Sequence, residues 1–252
     1  MKKATSARNA PPRKTTAGKK TARKTTARKA APARVEVTPR VARRERRRER
    51  SREEILAATR AVLLREGVGG TTLDAVAREV GVSKTALYYY FRSKDALLFE
   101  LVFRTLDEQA HAVHDAVAVA RDGGDALRAI IRETVRGFAA KVDDFRLVYM
   151  AGQIAGPGAF HVDAEQLARV RPLNDLVYGG AARVLAAERE RAPSSSHVEP
   201  RMLAFLAQLA AIGVLTMKGM VESLGDPLLY SDDELIEALS RIFEAAAAPR
   251  AR

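Results

Sequence analysis

Residues 71–91 read TTLDAVAREVGVSKTALYYYF, two short helical patterns on either side of a glycine. Leu73, Val76, Ala77 and Val80 recur at i, i+3, i+4 and i+7, one apolar stripe of a helix that Thr71 or Thr72 can cap. Gly81 tolerates the positive φ of a sharp reversal, after which Ser83 can cap a second helix. On that second helix Leu87, Tyr90 and Phe91 share a face, Thr85 and Tyr89 point the opposite way, and Lys84 and Tyr88 lie between. One side suits a core; the other is polar, aromatic and cationic. The pattern predicts a helix-turn-helix, whose second helix lies in the major groove of DNA, with an ordinary helical hairpin as the alternative.

Within the longer run GVSKTALYYYFRSKDALL (81–98), a Val-Ser pair (Val82-Ser83) precedes the second helix and Leu87-Tyr88-Tyr89-Tyr90-Phe91 ends it. Ser93-Lys94-Asp95-Ala96-Leu97 then opens the next one. These residues resemble the helix-turn-helix signature of the TetR/AcrR transcriptional regulators, over about Arg52 to Val102. The family often has Gly or another small residue where Thr85 stands here. The resemblance implies an all-α protein with an N-terminal three-helix DNA reader and a C-terminal helical domain that binds a ligand and dimerises through its last two helices. It further implies that Lys84, Thr85, Ala86, Tyr88 and Tyr89 face the groove, with Thr72, Ser83 and Lys94 completing the DNA-binding set.

Composition narrows the class. At 252 residues and 47% apolar, the chain is long enough to bury a sizeable core. With no cysteine there is no disulfide, thiolate metal site or cysteine nucleophile, which fits a reducing cytoplasm. No Gly-rich phosphate loop, GxSxG or HExxH occurs, so no enzyme and no cofactor is expected. His111 and His114 stand at i, i+3 with Asp115 adjacent, a spacing open to a metal, but with two other histidines in the chain an ordinary helix surface is the better reading.

Charge is unevenly placed. Residues 1–52 hold 20 Lys and Arg against Glu36, Glu45 and Glu49, a net of +17; the whole chain is +12, so residues 53–252 are net −5. The segment 1–50 is made of Lys, Arg, Ala, Thr and Pro, with RKTTA at 13–17 and again at 23–27, and is expected to be a disordered tail. Such a tail can bind DNA phosphates without sequence preference, which makes a nucleoid-compacting protein the alternative function.

Order is expected to begin at Ser51, where Ser51-x-x-Glu54 reads as a capping box, giving a reader over 51–98 and a ligand-binding and dimerisation domain over 99–247. Ile55, Ala58, Val62 and Leu63 form the first helix's apolar face and Gly67 ends it. After Ser93 a long helix carries Leu97, Leu98, Leu101, Val102 and Leu106 inward. Further helices follow at about 125–142, 144–155, 163–191, 200–224 and 232–247, interrupted at Gly156-Pro157-Gly158 and in 193–200, with Pro172 bending or splitting its helix.

From Met202 to Met217 only Gln208 and Thr216 are polar, too short a run at 16 residues for a bilayer but apolar on every side. With small residues among the large, one face can pack on its own domain and another on a second subunit. Ala207, Ala210, Leu239, Ile242 and Phe243 are the candidate homodimer contacts, an ordinary single-chain core being the alternative. Phe138, Met150, Ile154, Phe160, Met217 and Met220 can line an effector cavity, with Tyr149, Gln153, His161, Asn174 and Tyr178 as polar contacts. The expected function is a cytoplasmic, ligand-responsive repressor on near-palindromic double-stranded DNA, answering an apolar small molecule.

Overall fold

A computed structural model describes residues 39–139, 141–150, 161–192, 198–224 and 230–248. The expectations for residues 1–38, Gln153, Ile154, Gly156-Pro157-Gly158, Phe160, the break at 193–197 and the side chains of Met150 and Met220 lie outside those residues. Among the described residues every regular element is helical.

Helix α1 spans Pro39–Gly70, so Ser51 does not start it. The local Ser-x-x-Glu pattern loses because nothing from Val41 to Arg50 breaks a helix. Arg, Glu and Ala all favour one, Pro39 has the φ of a first helical position, and the Glu54 carboxylate accepts from Arg50 Nε at 3.3 Å instead of capping. Gly67 breaks α1 at φ 70°, ψ 179°, where the sequence reading ends the helix, but helical backbone resumes beyond it as far as Gly70.

The next three elements complete the reader with the second half of α1: α2 (Leu73–Val80), α3 (Lys84–Tyr90) and the start of α4 (Lys94–Ala118). Their core joins Ile55, Leu56, Val62, Leu63, Val76, Leu87, Phe91, Leu97 and Leu98. The C-terminal body adds α5 (Gly123–Ala139), α6 (Val142–Phe145), α7 (Ala164–Asn174), α8 (Gly180–Arg191), α9 (Pro200–Leu224) and α10 (Asp232–Ala247). Helix α5 is central, packed against α4, α8, α9 and α10, with Leu127, Ile130, Ile131, Val135 and Phe138 buried. Asp163 starts α7 and Ser231 starts α10, each in a full capping box.

Two π-helical turns, Arg146–Met150 after α6 and Asp175–Gly179 between α7 and α8, break the α register. The second follows closely on Pro172, which cannot donate to the turn before it, so the long helix expected over 163–191 changes register there. The first ties the two clusters together: Leu147 and Val148 pack in the reader core, while Phe145 and Tyr149 pack in the body. A buried carboxylate makes a second tie. Glu100 of α4 accepts from Arg52 of α1 at 3.0 Å and from Arg169 of α7 at 2.9 Å, and the Arg169 guanidinium lies 4.1 Å from the Phe103 ring centroid. Burial alone would raise the Glu100 pKa, but the hydrogen bond and charge of Arg169 and the charge of Arg52 outweigh it and leave it lowered.

Candidate nucleic-acid interface and effector site

Each helix of the pair is started by one side chain. Thr72 Oγ1 accepts the Ala75 N–H at 3.1 Å and so is the α2 cap, while Thr71 is buried and its hydroxyl donates to the Gly67 carbonyl at 2.7 Å. Gly81 closes α2 at φ 76°, left-handed backbone that a side chain would strain. Ser83 Oγ accepts the Ala86 N–H at 3.1 Å and opens α3, and Ser93 does the same for α4. Leu87 then has no exposed surface and Phe91 almost none, which leaves the opposite face of α3 free.

On that face Ser83, Lys84, Thr85, Ala86, Tyr88 and Tyr89 are all exposed, the two tyrosines by 46% and 62%. The Lys84 ammonium donates to Asp74 Oδ2 at 2.6 Å, a hydrogen bond that raises its pKa. Tyr89 stands edge-on to Tyr90 at 5.2 Å between centroids, and the Arg48 guanidinium sits 5.6 Å from the Tyr89 centroid. Lys94 differs from its expected place: its ammonium turns inward and donates to the Val68 carbonyl at the end of α1. There it offsets the negative end of that helix.

In the body, Tyr149 and Tyr178 each ride on a π turn. Burial pushes the Tyr149 hydroxyl up to about 12 despite its hydrogen bond with Gln208, and burial likewise raises that of Tyr178. Gln208 is buried and its carbonyl oxygen accepts the Thr134 hydroxyl at 2.7 Å. Thr134, Tyr149 and Gln208 thus form a polar relay inside the body. Sequence reasoning noted Gln208 only as a polar exception on an apolar helix; that exception was the available signal. Asn174 and Tyr178 line a cleft of about 340 Å³ with Glu199, Arg201, Met202 and Phe205. His161 is exposed, and His111 Nδ1 lies 2.8 Å from the Asp107 carbonyl of its own helix.

The apolar helix α9 divides into two faces. Leu203, Ala204, Ala207, Ala211 and Leu215 are buried in the body core, so Ala207 is no interface residue. Its spacing from Ala204 and Ala211 turns it inward. Met202, Phe205, Leu209 and Met217 are exposed on the other side, around an open Gly213. Ala210 is half-buried between the faces; Leu239 and Phe243 are half-buried against the core, and Ile242 is 63% exposed. By length and hydropathy Pro200–Gly219 would suffice to cross a membrane, longer than the run counted from sequence, but its inner face is a packed helix–helix contact with α5.

Residues 55–101 match the family model described as bacterial regulatory proteins, tetR family. An uncharacterised HTH-type transcriptional regulator of Mycobacterium tuberculosis is 32% identical over 117 residues, 46% of this chain and 49% of the relative. The HTH-type transcriptional activator FasR of Mycolicibacterium smegmatis is 26% identical over 56% of this chain and 63% of its own. The chain therefore spans about half the length of the first of the curated relatives it matches. Among solved structures, a TetR/AcrR-family regulator from Thermobifida fusca aligns with TM-score 0.54 and 25% identity over 77% of this chain and 96% of its own. FadR from Bacillus subtilis, in complex with stearoyl-CoA, shares the fold at TM-score 0.60 and 12% identity over 77% and 98%. The family model and the capped helix pair agree that residues 55–101 form a DNA-binding domain of the tetR-family type, and the body shares its fold with a TetR/AcrR-family regulator.

Proposed function

We propose that the chain is a dimeric, sequence-specific DNA-binding regulator that acts as a repressor in the cytoplasm and leaves its near-palindromic operator when a small apolar molecule enters the body. The observation that carries the reading is the free face of α3, where Lys84, Thr85, Ala86, Tyr88 and Tyr89 are exposed together while Leu87 anchors the helix from behind. Side chains on such a face reach base edges, and the caps at Thr72 and Ser83 leave helix N-termini ready for phosphates.

Dimerisation is supported by the outer face of α9, whose Met202, Phe205, Leu209 and Met217 would be costly to leave in water in so contiguous a stripe. Two recognition helices held one turn of DNA apart would read paired half-sites. An apolar effector is supported by the ring cluster of Phe138, Phe145 and Tyr149 beside the Thr134–Gln208 relay, and by the acyl-CoA that FadR binds within the same fold.

The test is operator binding by Tyr89→Ala and Lys84→Ala, using a duplex selected by the wild-type protein from a randomised pool. Removing a side chain that touches a base is expected to cost about 1–3 kcal/mol and to relax preference at that position, with the fold intact. Unchanged affinity in both variants would remove α3 from the reading. Continuous coating of any duplex in a footprint would point to compaction instead.

A further inference from the structure

The start of α1 is unlike a loose basic arm. From Arg44 onward it is one helix with the segment whose Ile55 and Leu56 are buried in the reader core, so its backbone holds a fixed position relative to α3. Three contacts set its rotation: Arg52 reaches Glu100, Glu49 pairs with Arg104 of α4, and Arg48 lies over Tyr89 of α3.

At about 100° per residue, Arg48, Arg52 and Glu49 fall within one sector of about 100°, so α3 and α4 meet neighbouring strips of the helix, α3 at Arg48 and α4 at Glu49, with Arg52 between them. Glu45 and Glu49 fall on the α4 side. Arg44, one turn before Arg48, falls beside it, and Arg47 lies about 100° round from Arg48 in the direction away from Glu49. Arg44, Arg47 and Arg48 are exposed, and among the described residues none of the three is in an ion pair with a carboxylate. The two acids thus share one sector of the helix while arginines occupy the rest of it, and Arg48, with Arg44 beside it, is the part next to the face that carries Tyr88 and Tyr89.

We propose that Arg44, Arg47 and Arg48 contact the DNA phosphates flanking the half-site read by α3, making the first turns of α1 a rigid second DNA-contacting element. This rests on α3 being the reading helix. A helix 10–12 Å across does not enter a minor groove about 6 Å wide, so these arginines bridge to the strands at its edge and read no bases. Guanidinium groups suit that role, since each offers a planar fork to phosphate oxygens. The contribution is to affinity, salt dependence and the length of DNA required.

The experiment compares full-length protein with Arg44→Gln/Arg47→Gln and Arg44→Gln/Arg47→Gln/Arg48→Gln on the selected duplex, with long and with trimmed flanks, across a salt series. Circular dichroism and melting should match wild type, because the three sites are exposed and Gln keeps the helix. The double variant spares Arg48 and hence Tyr89. The slope of log affinity against log salt should flatten by about 0.9 for each phosphate that is no longer neutralised. Wild-type affinity should fall when the flanks are trimmed, and that of the triple variant should not. Equal slopes and equal flank sensitivity in wild type and variants would overturn the proposal while leaving α3 as the reader. Altered base preference in the double variant would also overturn it, by making the arginines read sequence. Failure of the wild-type protein to select any duplex would instead sink the reading on which it rests.

Discussion

Helices α2 and α3 run 8 and 7 residues, whereas α9 runs 25, and the two regions are held by different physics. Isolated helices as short as the first pair are not stable in water, so their ends decide them: Thr72, Ser83 and the left-handed Gly81 fix where each starts and stops. Helix α9 needs no such precision at its ends. Its place follows from a buried face, Ala204–Ala207–Ala211–Leu215, laid against α5. In the reader a single residue sets geometry; in the body a whole stripe does.

The largest effect that would break this contrast comes from replacing one leucine in each region. Leu87 has no exposed surface and is the sole buried residue of α3, whereas Leu209 is half exposed on the outer face of α9. Leu87→Ala should cost about 2–5 kcal/mol in urea unfolding and abolish operator binding, because α3 loses its anchor. Leu209→Glu should leave the subunit folded yet convert the dimer to monomers in sedimentation, since a charge would be trapped in a dry interface. If Leu209→Glu stayed dimeric, the outer face of α9 would not be the contact.

A second, smaller effect is confined to the body. Tyr149 has its pKa pushed up to about 12 by burial, above the ordinary value of 10.0. A raised value means the folded state keeps the proton longer than the unfolded chain. Stability from this group is therefore fully present below pH 10 and is lost as pH climbs through about 12. At about 1.4 kcal/mol per pKa unit the loss approaches 2–3 kcal/mol. Tyr149→Phe should flatten that alkaline fall in a pH series of unfolding curves, at the expense of the Gln208 hydrogen bond at neutral pH. An unchanged alkaline limb would show that the hydroxyl is hydrated.

How far each region was legible in the sequence follows from the same contrast. The helix pair could be read to the residue because its signals are local: hydroxyl caps, a glycine, and apolar spacing within two turns. Local signals also misled at Ser51, where the pattern of a cap was present but no helix-breaking residue preceded it to make it one. The apolar character of α9 was plain, yet composition carries no direction, so Ala207 was placed outward when its neighbours at i−3 and i+4 are core. The ties at Glu100 and Gln208 were out of reach, because their partners Arg169 and Thr134 lie far along the chain and only the fold brings them together. The inward turn of Lys94 has the same cause: its acceptor, Val68, belongs to the first helix.

The smallest effect sharpens the comparison at one hydroxyl. Ser83 Oγ satisfies one backbone donor, the Ala86 N–H, at the exposed start of a helix only 7 residues long. Removing it in Ser83→Ala leaves water as the alternative acceptor, so the expected cost is about 1 kcal/mol, within the usual range of about 0.5–2 for removal of an N-cap. Ser83→Asn restores an acceptor at the same place and should recover most of that stability, while Ser83→Gly should lie between. Stability alone would make this an ordinary capping result. The reader is special in that α3 has little else to hold its first turn, so fraying there also moves Lys84, Thr85 and Ala86. Operator affinity should therefore fall in Ser83→Ala and return in Ser83→Asn, in step with stability measured by urea unfolding. Recovery of stability without recovery of affinity would mean that the Ser83 hydroxyl itself touches DNA, and that the end of α3 is a contact as well as a cap.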